Sequence, residues 1–244
     1  MIEVENLSKR FGKRVAVEDV TFSVAPGDVV GFLGPNGAGK STTMRLLTGF
    51  FDANSGTARI CGYDINRDRR AAQASLGYLP EAAGGFPNLT VREFLAFCGE
   101  SRGLYGQALR GAIDRACELI DLAPALNGAM KSLSKGWRQR AWLAQAILHD
   151  PPVLILDEPT DGLDPNQKER VRALIRAVAA EKAIILSTHI LEEAEEVCNR
   201  AIIISAGRVV AQDTPENLAD EKGRIAASFR SLTAAPQLPS GPSA

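Results

Sequence analysis

"GPNGAGKST", Gly34 to Thr42, is the stretch that decides the fold. It satisfies G-x-x-x-x-G-K-[ST] in full, and its surroundings matter as much as the match. The apolar run from about Asp28 to Leu33 reads as a strand ending directly in Gly34. From Lys40, "KSTTMRLLTGF" carries Met44, Leu46 and Leu47 at helical spacing. Strand, glycine-rich turn and helix in that order aim successive backbone N–H groups inward at the positive end of a helix, forming a cradle for a di- or triphosphate. Gly34, Gly37 and Gly39 allow the tight path, and Pro35, Asn36 and Ala38 complete the loop. Lys40 is the cation for the β- and γ-phosphates, Ser41 supplies a hydroxyl for Mg²⁺, and Thr42 closes the motif.

A phosphate cradle that hydrolyses needs acids nearby. "PVLILD" (152–157) is a continuous apolar run bounded by prolines and acids, as in a strand buried on both faces. At its carboxyl end Asp157 is placed to hold Mg²⁺ through water, and Glu158 to polarise an attacking water. Taken alone, the two acids also suit the solvated start of a helix.

Around these two motifs the chain alternates strands and helices. "IEVENL" (2–7) and the segment 16–34 are rich in β-branched residues at a period near two, with a turn at Pro26-Gly27. Short strands are expected within 56–65 and 75–79. From Asn88 to Leu133 the apolar residues fall at helical spacing broken by glycines and Pro124, so two or three helices are inserted there without a strand. Beyond "PVLILD" come an amphipathic helix at 167–180, a buried strand "AIILST" (183–188), a helix at 190–201 and a hairpin over 201–213 turning at Ala206-Gly207. This succession is α/β, with an N-terminal antiparallel β region and a helical subdomain at approximately 88–150 inside a domain spanning 1–230. The stretch 231–244 has three prolines among small residues and is expected to be disordered.

Composition bounds what such a domain does. With 28 basic and 29 acidic side chains in 244 residues, no excess of charge argues for nucleic acid or an anionic membrane surface. Cys61, Cys98, Cys117 and Cys198 show no ligand spacing and read as reduced thiols. "MIEVENLSKRF" lacks a signal peptide's apolar stretch, and no window approaches the roughly 20 apolar residues of a membrane span. Membrane association is therefore expected through a partner.

"LSKGWRQR" (133–140) adds a second anion site. Ser134 suits the N-cap of the following helix, and Gly136 lets an anion approach the backbone. The site has no cation from a phosphate loop of its own, and the first cradle already surrounds most of a nucleotide. It becomes useful if it closes over a nucleotide held by another copy.

"GPNGAGKST", "LSKGWRQR", "LILDEPTDGLDP" and "STH", in this order and spacing, resemble the ATP-binding subunit of an ABC transporter, a P-loop NTPase with an ABC-type ATPase core. The resemblance covers roughly residues 2 to 220. It implies a head-to-tail dimer of this chain with itself or a homologous ATP-binding subunit, enclosing two molecules of ATP with Mg²⁺. Each nucleotide is then held by one chain's phosphate loop and by Leu133, Ser134, Lys135, Gly136 and Gln139 of the other. The resemblance also places Asp164 at the dimer contact, His189 beside the γ-phosphate or attacking water, and Phe11 where an aromatic ring stacks on adenine. A lone histidine and an edge aromatic are also common structural features.

Two positions depart from the family pattern. Glu81, in "LGYLPE", stands where glutamine is usual; a carboxylate still ligates Mg²⁺ or its water. "LSKG" replaces the commoner "LSGG" while keeping Ser134 and Gly136. Both departures resemble an ABC-2, export-type branch that includes gliding-motility and multidrug-like systems. The implied partner is an integral membrane permease, contacting the groove near Glu81 and 82–100 with Phe86 and Leu89 as apolar contacts. The implied location is the cytoplasmic face of the cell membrane, with no nucleic acid bound. Rival readings are a soluble ABC-type ATPase acting in translation or DNA maintenance, and a regulatory subunit with a dead site. A single cassette without heptads or a basic stripe argues against the first, and the complete set of acids and lysine against the second.

Overall fold

The computed structural model describes residues 1–82, 84–221 and 223–234. In chain order it contains β1 (Ile2–Phe11), β2 (Arg14–Val24), β3 (Val29–Leu33), α1 (Lys40–Leu47), β4 (Ser55–Ile60), β5 (Tyr63–Asp64), α2 (Arg69–Ala74) and β6 (Leu76–Leu79). There follow α3 (Val91–Ser101), α4 (Gly106–Leu119), two short 3-10 turns, α5 (Lys135–Ile147), β7 (Val153–Asp157), α6 (Pro165–Ala179) and β8 (Ala183–Thr188). The described chain closes with α7 (Leu191–Val197), β9 (Arg200–Ser205), β10 (Arg208–Asp213), α8 (Pro215–Leu218) and α9 (Ala226–Thr233).

Two sheets organise these elements. An antiparallel sheet runs β2-β1-β4-β5, and a second runs β10-β9-β3-β8-β7-β6, parallel except for β10. β3, β7 and β8 are buried along their whole length, which is why they read as unbroken apolar runs. Their side chains divide by the two-residue period of a strand. Val30, Phe32, Val153, Ile155, Ala183 and Ile185 enter the core shared with the antiparallel sheet. Val29, Leu33, Leu154, Leu156, Ile184 and Leu186 enter the core shared with the helices.

The helical insertion has its own logic. Thr90 begins α3 with a capping box: its hydroxyl accepts from the Glu93 N–H at 3.2 Å, and the Glu93 carboxylate accepts from the Thr90 N–H at 2.7 Å. Phe94 then packs fully buried against Phe86 and Trp142, with ring centroids 5.5 and 5.2 Å away. α5 lies directly on β6. A Cβ built on Gly77 would sit 1.9 Å from the Ala146 carbonyl oxygen, so only glycine permits this approach. Gly77→Ala is expected to destabilise the protein by about 3 kcal/mol, the upper part of the overpacking range. A chemical-denaturation midpoint equal to wild type would refute this packing account.

Several boundaries differ from the sequence reading. The Pro26-Gly27 turn is present, but it joins strands of different sheets. The short strands expected within 56–65 are β4 and β5, paired as a hairpin whose turn residues Cys61 and Gly62 both take positive φ, 52° and 86°. α2 forms where no helix was expected, six residues whose one buried member is Ala72, too short for a periodic signal. The helix expected over 190–201 stops at Val197. There Asn199 accepts from the Val29 N–H at 2.9 Å and donates to the Gly27 carbonyl at 2.8 Å, tying the chain to β3. α9 carries helix to Thr233, into the stretch expected to be disordered, and residues 235–244 lie outside those described. Among the described residues no helix is long and apolar enough to cross a membrane.

Candidate active site

The loop from β3 to α1 takes its path from neighbours as well as from its own glycines. Gly37 and Gly39 have φ of 81° and 111°, and a Cβ on Gly39 would approach the Ala16 carbonyl to 2.5 Å. The turn between β9 and β10 braces the loop: the Gly207 N–H donates to the Ala38 carbonyl at 2.9 Å, and the Gly207 carbonyl accepts from the Glu18 N–H at 2.8 Å. No side chain caps α1, so the N–H groups of its first turn stay available to a ligand.

A cavity of about 270 Å³ opens at this point, lined by Asn36, Gly37, Gly39, Lys40, Ser41 and Thr42 from the loop and helix. Arg14, Ala16, Glu81 and Glu158 complete its walls. Lys40 is nearly buried and donates to the Gly34 and Pro35 carbonyls at 2.7 and 3.4 Å. Burial lowers its pKa, and the carboxylates of Glu158, Asp157 and Glu81 oppose that shift. The Ser41 hydroxyl lies 3.2 Å from Glu81 Oε2 and 3.3 Å from Asp157 Oδ1. Asp157 also accepts from the Ser187 hydroxyl, while its Oδ2 is buried without a hydrogen-bond partner.

That orphaned oxygen tests whether Mg²⁺ fits. A fully buried carboxylate oxygen without a donor is costly unless a cation completes it. The donors nearby, one hydroxyl and carboxylates, are the hard oxygens that Mg²⁺ prefers. Among the described residues no three His, Cys, Asp or Glu side chains form a closed cage, which suits an ion that keeps water and substrate phosphates as ligands.

Glu158 leaves β7 in the left-handed region, at φ 52°, with its N–H held by the Ser187 carbonyl at 3.1 Å and hydroxyl at 3.2 Å. This backbone turn faces the side chain into the cavity instead of along the strand. His189, just past the end of β8, places Nδ1 3.0 and 3.1 Å from the two Glu158 carboxylate oxygens. Burial raises the Glu158 pKa above its ordinary value, with the His189 hydrogen bond opposing. Burial likewise raises that of Asp157, against its bonds from Ser187 and Ser41.

The other expected site residues lie elsewhere. Gly34 and Ala38 are buried beneath the loop, and Pro35 is exposed at its rim. Phe11 is half exposed, meets Phe51 edge-on at 5.2 Å, and is not among the cavity's lining residues. Ser134 is the N-cap of α5, accepting from the Trp137 N–H at 3.4 Å, and Asp164 is the N-cap of α6, accepting from the Gln167 N–H at 2.9 Å. Gly136 is packed beneath Gln167, whose Oε1 would lie 2.5 Å from an added Cβ. Lys135 pairs with Asp161 at 2.6 Å, so its charge is partly compensated within the chain.

Gln139 corrects the sequence reading. Gln139 is buried, and its amide donates to the Glu158 carbonyl at 3.2 Å, supporting the loop behind the base instead of facing out. Leu133 packs against the helical core. Arg14 and Ala16 are the lining residues that the sequence reading missed, and Arg14 is the charged one. Its position on a strand edge carries no motif; only the fold brings it to the loop.

Phe86 stacks on Phe94 and Phe97 yet stays exposed at 38%, and Leu89 is half-buried against the core. A separate cavity of about 780 Å³ is lined by Phe50, Arg70, Gln73, Tyr78, Arg102 and His149, among others. Burial drops the His149 pKa to about 4, with the Arg102 charge adding to the shift.

A family model described as ABC transporter matches residues 17–161. The "Nod factor export ATP-binding protein I" of Paraburkholderia xenovorans (strain LB400) is 39% identical over 218 residues, covering 89% of this chain and 72% of the relative. A solved ATP-binding subunit of an ABC transporter superposes with TM-score 0.86 at 30% identity, covering 95% of this chain and 99% of that one. A bacterial Atm1-family ABC exporter with ATP bound gives TM-score 0.82 at 26% identity, covering 96% of this chain and 42% of the exporter. With the family model spanning both the phosphate loop and the acidic end of β7, the chain belongs to the ABC transporter family, on the side of its ATP-binding subunits.

Proposed function

We propose that this chain binds and hydrolyses ATP as one half of a head-to-tail dimer, and that the closing and opening of the dimer drives export through a separate membrane-spanning subunit. The observation that carries the reading is the convergence of Lys40, Ser41, Glu81 and Glu158 on one cavity, with Asp157 below and His189 behind the base. Likeness to a Nod factor export protein supports the direction of transport, and the ATP-bound exporter supports the nucleotide. The phosphate cavity has no wall from Ser134, Lys135 or Gly136, which supports a second copy as the source of the missing side.

In this reading Lys40 and the first-turn N–H groups of α1 take the negative charge of the phosphates. Ser41, Asp157 and Glu81 would hold Mg²⁺, which when bound spreads charge from the transferring phosphoryl group. Glu158 accepts the proton of the attacking water, with His189 fixing its carboxylate. An ionised carboxylate only accepts hydrogen bonds, so the His189 Nδ1 carries the proton between them. Phe11 supports adenine, and Ser134 and Gly136 cover the phosphates of the opposite copy. Asp164, capping α6 at an exposed position, contacts that copy. In this reading the permease docks from the cytoplasmic face of the membrane, and the cavity of about 780 Å³ between α2, the end of α3 and His149 is the groove offered to it.

The raised Glu158 pKa sets a pH dependence. The base works deprotonated, so hydrolysis is present above its folded pKa and lost as pH falls through it. The acid limb of the rate profile is expected at a higher pH than an ordinary carboxylate of about 4.3 would give. A limb at or below that value, measured at saturating ATP, would count against Glu158 as the base.

The reading as a whole is tested by gentle extraction of native membranes and identification of what co-purifies. Two copies of this chain per membrane-spanning pair, with ATPase activity, is the expected result. A pool bound to ribosomes or nucleic acid would leave ATP hydrolysis standing and overturn transport.

A further inference from the structure

We infer that Arg14 is a second phosphate-binding cation, reaching from the β1–β2 hairpin across the mouth of the cradle to the nucleotide that Lys40 holds from below; this rests on the ATP reading above. Three observations carry it. Arg14 lines the same cavity as Lys40, Ser41 and Glu158, and its Nη2 lies 3.9 Å from where a Cβ on Gly37 would sit. Its guanidinium makes no ion pair or hydrogen bond to any described residue, whereas Arg10, Lys13 and Arg14 together make this hairpin end basic. A planar fork with five donors is the side chain that matches phosphate oxygens in pairs.

The electrostatics give the arginine a reason. Glu81, Asp157 and Glu158 place three carboxylates at or beneath a site meant for a polyphosphate, against one buried lysine. Glu81 in particular adds a negative charge to the cavity wall. A cation beside Gly37, with no ion pair to those acids, offsets that repulsion. The hairpin also links two parts of one ligand. Arg14 is the cross-strand partner of Phe11, and such partners hold their Cβ atoms about 5 Å apart. One strand pair therefore presents a ring for the base and a guanidinium for the phosphates.

The test compares nucleotide affinity by titration calorimetry or a fluorescent competitor, with hydrolysis excluded by omitting Mg²⁺. Arg14→Ala is expected to weaken ATP about tenfold and adenosine less than twofold, with Arg14→Lys recovering part of the loss and Arg14→Glu weakening ATP further. Because Arg14 is exposed and unpartnered, the melting temperature of the free protein should be unchanged; a drop in all three variants, without selective loss of ATP, would mark a structural role and overturn the proposal. ATP affinity within twofold of wild type in Arg14→Ala would also overturn it. Equal losses for ATP and adenosine would move Arg14 to the nucleoside and overturn the phosphate assignment. Failure of the wild-type chain to bind ATP at all would instead sink the proposed function.

Discussion

Glu158→Gln is expected to bind ATP with near-wild-type affinity and to lose at least a hundredfold in steady-state hydrolysis. The amide keeps the shape of the side chain and the length that reaches His189, but it cannot take a proton from water. A positioned base contributes about 10²–10⁴ to rate, or roughly 3–5 kcal/mol of barrier. The substitution also removes a buried negative charge near the phosphates, which favours retention of the nucleotide. The variant should therefore accumulate as an ATP-bound dimer on size-exclusion chromatography. Unchanged turnover at saturating ATP would remove Glu158 from its role. Loss of ATP binding along with turnover would make it a positioning residue for the loop instead.

Lys40→Ala is expected to weaken ATP at least thirtyfold, the largest loss from any single substitution in the cradle. Glu158, Asp157 and Glu81 all raise the Lys40 pKa against the lowering by burial. Removing it leaves those acids facing the phosphates without a buried counter-charge, so the loss includes new repulsion as well as a lost charge-assisted hydrogen bond. Nucleotide titration with a melting curve on the free protein separates binding from folding. Normal ATP-driven dimerisation of this variant would contradict the assignment of the loop.

Much of this site was legible before any coordinates. The strand, turn and helix around Gly34–Thr42 follow from a local pattern, because each residue's role depends on neighbours within a few positions. The same holds for Asp157 and Glu158 at the end of an apolar run, for Ser134 at a helix start, and for the hairpin at Ala206-Gly207. The six-residue α2 and the Cys61-Gly62 turn were missed because short elements leave no period to detect.

Gln139 shows where local reading fails. It stands in the segment expected to face a nucleotide, and whether it faces out or in depends on the packing of α5 against the loop after β7, which lies about 20 residues away.

By itself the sequence determined the chemistry available: a phosphate loop with its lysine, a carboxylate pair at a strand end, a capped second glycine segment and the α/β alternation that carries them. The tertiary structure decided which groups meet. It put Ser41 against Glu81 and Asp157, turned Glu158 through a left-handed backbone onto His189, spent Gln139 on its own chain and brought Arg14 to the cradle. Those outcomes depend on contacts between strands far apart in the chain, and a pattern of neighbouring residues carries no record of which distant strand will lie beside it.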